Sequence, residues 1–138
     1  MLASGLAALV LASCATPHRS PPPSSSPLVT AIEYRRTGGL AGVDDRITVT
    51  RDGLLEVRSP QGRHTTAQLS PGDLKELESL LSGWRKLAGA SREPVSPDAF
   101  EYSLSYDGVT VTAVEFSRVA ETFDLVRKRL EGMAERAR

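Results

Sequence analysis

The chain is expected to fold as a small α+β domain: an antiparallel sheet of about six strands in hairpins and a meander, with two helices packed on one face. Three features carry this expectation. Several short segments alternate apolar and polar residues with the two-residue period of a half-buried strand. Glycine-containing turns that suit hairpins separate most of them. Two further segments, one central and one C-terminal, repeat apolar residues at spacings of three and four, as an amphipathic helix does.

Residues 28–36 alternate, with Ile32 and Tyr34 on one face, and predict a first strand. Residues 47–50 and 54–57 flank Arg51-Asp52-Gly53. A two-residue Asp-Gly turn would pair Val49 with Glu56. A three-residue loop with Gly53 left-handed pairs Val49 with Leu55 and Ile47 with Val57. The second register places all four apolar side chains on one face and is preferred. Pro60-Gln61-Gly62 repeats the device, pairing Val57 with Thr65 and Leu55 with Ala67.

A helix follows, with Ser70 as N-cap, Pro71 at the first helical position and Asp73 where its charge favours the helix start. Leu74, Leu77, Leu80 and Leu81 form its apolar stripe, Gly83 is the expected C-cap glycine, and Trp84 the expected core plug under the helix end. Residues 88–98 read as loop. Phe100, Tyr102, Leu104 and Tyr106 then alternate with Glu101, Ser103 and Ser105, and Asp107-Gly108 suits a two-residue turn. That register pairs Leu104 with Val111 and Tyr102 with Ala113, leaving Ser103, Ser105, Thr110 and Thr112 on a wet face. The final helix is expected to start near Ser117, with Val119, Phe123, Val126, Leu130 and Met133 facing the core.

Ahead of this domain, expected over residues 28–138, lie two segments of different character. Residues 1–14 carry no charge. They are too short to span a bilayer, which takes about 20 apolar residues, and fit the core of a secretory signal. Leu11-Ala12-Ser13-Cys14 resembles the bacterial lipobox, in which the cysteine is acylated and becomes the new N-terminus, although the usual basic residues before the apolar core are missing. Residues 15–27 hold five of the nine prolines and read as an extended Pro/Ser-rich tether. At roughly 3.1 Å per residue it would reach up to about 40 Å. The expected location is the bacterial cell envelope, lipid-anchored and facing outside the cytoplasmic membrane, with the membrane engaged through the lipid on Cys14.

Composition narrows the function. Lys plus Arg and Asp plus Glu number 17 each, without blocks of one sign, which speaks against a general nucleic-acid binder. A single cysteine allows no intramolecular disulfide. His18 falls in the tether and His64 on an expected exposed strand. No His-Glu-x-x-His, Cys-x-x-Cys, P-loop or Gly-x-Ser-x-Gly pattern occurs. Asp44 and Asp45 are neighbours on a strand and so point to opposite faces, a poor metal pair; they are expected to be solvated strand-start residues. No catalytic residue, metal ligand or cofactor site is expected, and the chain is not expected to be an enzyme.

One segment is unusual. Arg35-Arg36-Thr37-Gly38-Gly39-Leu40-Ala41-Gly42 sets three glycines in five residues around one large apolar side chain. Glycine permits unusual backbone angles and close approach of another backbone. Two roles for Leu40 compete: a side chain tucked into the core under a bulged hairpin, or an anchor for a partner.

Residues 36–42, following an Ile-x-Tyr strand, resemble the opening motif of the emfourin family. These are small bacterial proteins named for a protein inhibitor of thermolysin-like metalloproteases, including protealysin. The family's later features, a helix introduced by Pro and acidic residues and an Asp-x-Phe-x-Tyr strand, find counterparts in Ser70-Pro71-Gly72-Asp73 and Asp98-Ala99-Phe100-Glu101-Tyr102. The resemblance covers roughly residues 30–115. The leader, the longer C-terminal helix and polar insertions in the meander at 47–69 depart from it. It implies a shared fold and a partner-binding surface at Gly38, Gly39, Leu40, Ala41 and Gly42 directed at a thermolysin-like metalloprotease. The alternative is a non-inhibitory envelope lipoprotein that binds another ligand or partner. The lipobox reading has a direct check. Wild-type protein should partition into detergent and Cys14→Ser should be released or left uncleaved; an unmodified Cys14 in the mature protein's mass spectrum would exclude acylation.

Overall fold

The structure, a computed structural model, describes residues 28–91, 98–115 and 117–138. The expected signal and tether lie outside these residues. The described chain is an α+β fold. Strands β1 (Ile32–Gly38), β2 (Val43–Val49), β3 (Leu54–Arg58), β4 (His64–Gln68), β5 (Phe100–Tyr106) and β6 (Val109–Val114) form one six-stranded sheet, and helices α1 (Pro71–Leu81) and α2 (Glu121–Ala137) complete the fold. Every pairing is antiparallel, and the strand order is β4-β3-β2-β1-β5-β6. Strand β1 therefore sits inside the sheet and joins the meander β1–β4 to the hairpin β5–β6.

The hairpin registers follow the turn chemistry. Val49 pairs with Leu55 and Ile47 with Val57 across a three-residue loop in which Gly53 has φ +83°. Val57 pairs with Thr65 and Leu55 with Ala67, with Gly62 at φ +75°. In both turns the left-handed glycine returns the chain with the twist the strands need. The second hairpin closes through Asp107 at φ +48° and Gly108 at φ +75°, a type I′ geometry. Aspartate tolerates this region better than most residues, and three contacts hold it there. The Arg85 guanidinium donates two hydrogen bonds to its carboxylate, at 2.6 and 3.0 Å, and its own N–H donates to Thr30 Oγ1 at 2.9 Å.

These registers sort the side chains by face. Ile32, Tyr34, Ile47, Val49, Leu55, Val57, Leu104, Tyr106, Val111 and Ala113 are buried in one cluster with Leu74, Leu77 and Leu81 of α1 and Phe123, Val126, Leu130 and Met133 of α2. Trp84 packs into the same core at 1% exposure, stacks on Phe123 and donates its indole N–H to the Val109 carbonyl at 3.0 Å. Ion pairs tie the helices to each other, with Arg129 reaching both Asp73 and Glu76. The buried Tyr34 hydroxyl donates to Glu131, which fastens α2 to the sheet.

Four boundaries differ from expectation. Strand β1 starts at Ile32 and runs through Gly38, so the buried Leu28 precedes it. Strand β2 begins at Val43, which puts Asp44 and Asp45 inside the pairing rather than at a solvated strand start. Ser82 is the C-cap of α1 in right-handed conformation, and Gly83 has φ −106°; the chain keeps its handedness into a 3₁₀ turn, Trp84–Leu87, and needs no left-handed glycine. Helix α2 begins at Glu121, because the Ser117 hydroxyl is engaged by Val114, accepting from its N–H and donating to its carbonyl. Val119 precedes the helix and is partly buried. The middle of the expected loop, residues 92–97, lies outside the described residues.

The β5–β6 turn offers a test. Among the described residues, no atom beyond its chain neighbours lies within 4 Å of where a Cβ on Gly108 would stand, so backbone strain is what opposes substitution. Gly108→Val should lower stability by ~1–3 kcal/mol, read as a drop in denaturant midpoint; an unchanged midpoint would contradict the turn geometry.

Candidate functional site

The β1–β2 hairpin projects one tip from the sheet. Gly38 pairs with Val43, leaving residues 39–42 as the loop, and the Gly42 N–H donates to the Gly39 carbonyl at 3.1 Å. Leu40 and Ala41 form the centre of this turn. Gly39 and Gly42 take φ of +70° and +62°, so the strain of reversal falls on glycines rather than on the residues presented. Leu40 is 93% exposed. Among the described residues, the other large exposed apolar side chains, Val29 and Leu125, are more covered. Of the two roles open to Leu40, burial in the core is therefore excluded. The structure brings all five residues, Gly38, Gly39, Leu40, Ala41 and Gly42, to the same tip.

The tip is seated, not free. Gly38 has φ +103°, and a Cβ there would stand 2.5 Å from the Ala99 carbonyl oxygen. A Cβ on Gly39 would lie 2.8 Å from the Phe100 ring. Both glycines thus let the loop lie against the start of β5. Among the described residues, no atom beyond its chain neighbours lies within 4 Å of where a Cβ on Gly42 would stand.

Below the tip, two ion pairs brace the stem, one on each face of the hairpin. On the face away from the helices, Arg35 donates to both Asp44 carboxylate oxygens at 2.7 and 2.8 Å. On the helix side, Arg36 binds Asp45, its direct cross-strand partner, and its guanidinium lies 5.4 Å from the centre of the Phe100 ring. Phe100 thereby links the loop glycines, the brace and β5. The Arg35 hydrogen bond holds the Asp44 carboxyl down at about 2. An acid whose folded-state pKa is depressed contributes stability above its ordinary value, about 4, and loses it as pH falls toward 2. The brace on this face is therefore complete at neutral pH.

The glycines and Leu40 stand out in the sequence, whereas the brace emerges from the structure. A signal was present: Arg35-Arg36 and Asp44-Asp45 flank the loop as doublets of opposite charge, and a hairpin closing at Gly38 and Val43 must bring them together. Among the described residues no group of three or more His, Cys, Asp and Glu side chains is placed to hold a metal ion. His64 is exposed, 3.8 Å from Glu56. The geometry presents an exposed hairpin tip on a braced stem. Compared with protein-family models and with curated proteins, the chain matches none.

The seating of the loop distinguishes its glycines. Gly42→Ala carries only the left-handed penalty and should cost about 1 kcal/mol. Gly38→Ala adds a collision with backbone and should cost about 3 kcal/mol. Equal losses in thermal melts would contradict the close approach of the loop to β5.

Proposed function

We propose that the chain is a lipid-anchored inhibitor of thermolysin-like metalloproteases, held outside the cytoplasmic membrane, that engages its target through residues 38–42 with Leu40 as anchor. The observation that carries the reading is the 93% exposure of Leu40 on a turn whose stem is braced by two ion pairs. A fully exposed leucine has unfavourable hydration that a partner's pocket would relieve, by roughly 1.5–3 kcal/mol on complete burial. A turn already held in one conformation lowers the ordering cost of binding. The resemblance of residues 36–42 to the emfourin opening motif supplies the class of partner. Thermolysin-like enzymes favour a bulky aliphatic residue just after the scissile bond. Leu40 supplies such a side chain, and the small residues beside it let the backbone approach a cleft. The chain acts by occupying that cleft rather than by chemistry of its own.

The test is a titration of a thermolysin-like protease with the protein and with Leu40→Ala. The wild-type protein should abolish peptidase activity stoichiometrically. Leu40→Ala should shift stability by less than about 0.5 kcal/mol while weakening inhibition by about 2 kcal/mol or more, as for a central interface residue. Full protease activity at excess wild-type protein would overturn the inhibitor reading. Equal inhibition by the folded mutant would remove Leu40 as the anchor.

A further inference from the structure

The sheet face turned away from the helices carries a pattern that the loop does not explain. The register sets Arg35 opposite Arg46 and Arg46 opposite Arg58, and β4 extends the row with His64 opposite Arg58. Neighbouring strands lie about 4.8 Å apart, and like charges directly opposite one another destabilise a sheet. Local acids compensate unevenly. Asp44 is committed to Arg35 by two short bonds, and Glu56 holds Arg58 at 3.2 Å. Among the described residues Arg46, between two other guanidiniums, reaches only the Asp44 oxygen already bound by Arg35, at 3.6 Å. Its side chain is 57% exposed.

Two residues along the same strands, about 7 Å away, runs a row of opposite character. Glu33 stands opposite Thr48 and Ser105, and Thr48 opposite Glu56. A cavity of about 410 Å³ lies over both rows, with Glu33, Arg35, Arg46, Glu56, Arg58 and Ser103 in its lining. This volume is in the range of small-molecule sites. The described open-face positions of the six strands carry no Phe, Tyr or Trp on which a base or sugar ring would stack.

We propose that this cavity binds a small aliphatic ligand with an oxyanion at one end and an ammonium or hydroxyl donor at the other. The oxyanion lies on the arginine row, where it relieves the repulsion around Arg46 and accepts charge-assisted hydrogen bonds. The donor end lies toward Glu33. A long polyanion is disfavoured, because the acidic row would face its continuation. Phosphoethanolamine has this chemistry, whether free or as a lipid headgroup. The site is separate from the hairpin tip, and the proposal is independent of protease inhibition.

The experiment is calorimetric titration of the full chain with phosphoethanolamine, inorganic phosphate and ethanolamine. Phosphoethanolamine should bind saturably and more tightly than either half. Arg46→Thr, shown by its melt to be folded, should weaken that binding about tenfold or more, and Arg46→Lys should restore part of it. Glu33→Gln should reduce phosphoethanolamine binding toward that of phosphate and leave phosphate binding unchanged. Leu40→Ala should have no effect. Absence of saturable binding, or binding undiminished in folded Arg46→Thr, would overturn the proposal. With Cys14→Ser protein, which lacks the lipid, Arg46-dependent capture by vesicles containing phosphatidylethanolamine, and not by phosphatidylcholine alone, would identify the lipid as the source. Binding of the soluble compound without vesicle capture would identify a free ligand.

Discussion

Pairing of β1 with β2 on one side and β5 on the other is the constraint on which the remaining architecture rests. Strand β1 holds the meander and the second hairpin in one sheet, and its pairs with β5, such as Tyr34 with Leu104, join segments far apart in sequence. Because side chains alternate along a strand, a slip of one residue would turn Ile32 and Tyr34 to solvent and Arg35 into the core. The Tyr34 hydroxyl bond to Glu131 would be lost with it, and with that bond part of the attachment of α2. The same register brings the doublet Arg35-Arg36 to Asp44-Asp45 and seats Gly38 and Gly39 on β5. The projecting tip is thus a consequence of core register, not a loop appended to a finished fold.

Much of this was legible because the local signals agree with each other. The turn at Gly53 could be placed because only one of two registers put the apolar residues on a single face, and those at Gly62 and Gly108 because their residues suit a three-residue and a two-residue loop. The N-cap of α1 was equally clear, with Ser70 Oγ accepting from the Asp73 N–H at 3.1 Å. Readings failed where one residue type serves two ends. Gly83 looked like a helix stop, but the chain continues right-handed into Trp84–Leu87, a 3₁₀ turn that the core burial of Trp84 favours. Ser117 looked like a helix start, but its hydroxyl engages the end of β6. Strand order depends on β1–β5 contacts that no local pattern encodes. The exposure of Leu40 was open for the same reason: an apolar residue between glycines carries no local pattern that says whether it points in or out.

Zero net charge conceals organisation. Opposite charges brace the hairpin stem on both faces, join the two helices, and hold the Asp107 turn through Arg85. Most of these pairs are partly exposed, where a single pair contributes at most about 1 kcal/mol. Their effect is to select geometry rather than to supply bulk stability. Around Arg46 the pattern is least balanced, which is why the open sheet face and the hairpin tip stand out as separate surfaces on one small domain.

The proposed contact between residues 38–42 and a protease would leave a mark on the backbone amides of the loop. Backbone amide exchange of the protein, alone and with a thermolysin-like metalloprotease, tests it most directly. New protection is expected on the amides of residues 39–43, with β4 and β6 unchanged. An exchange pattern in which those amides are unaltered while the protease is bound elsewhere, or in which no amide changes at all, would contradict it.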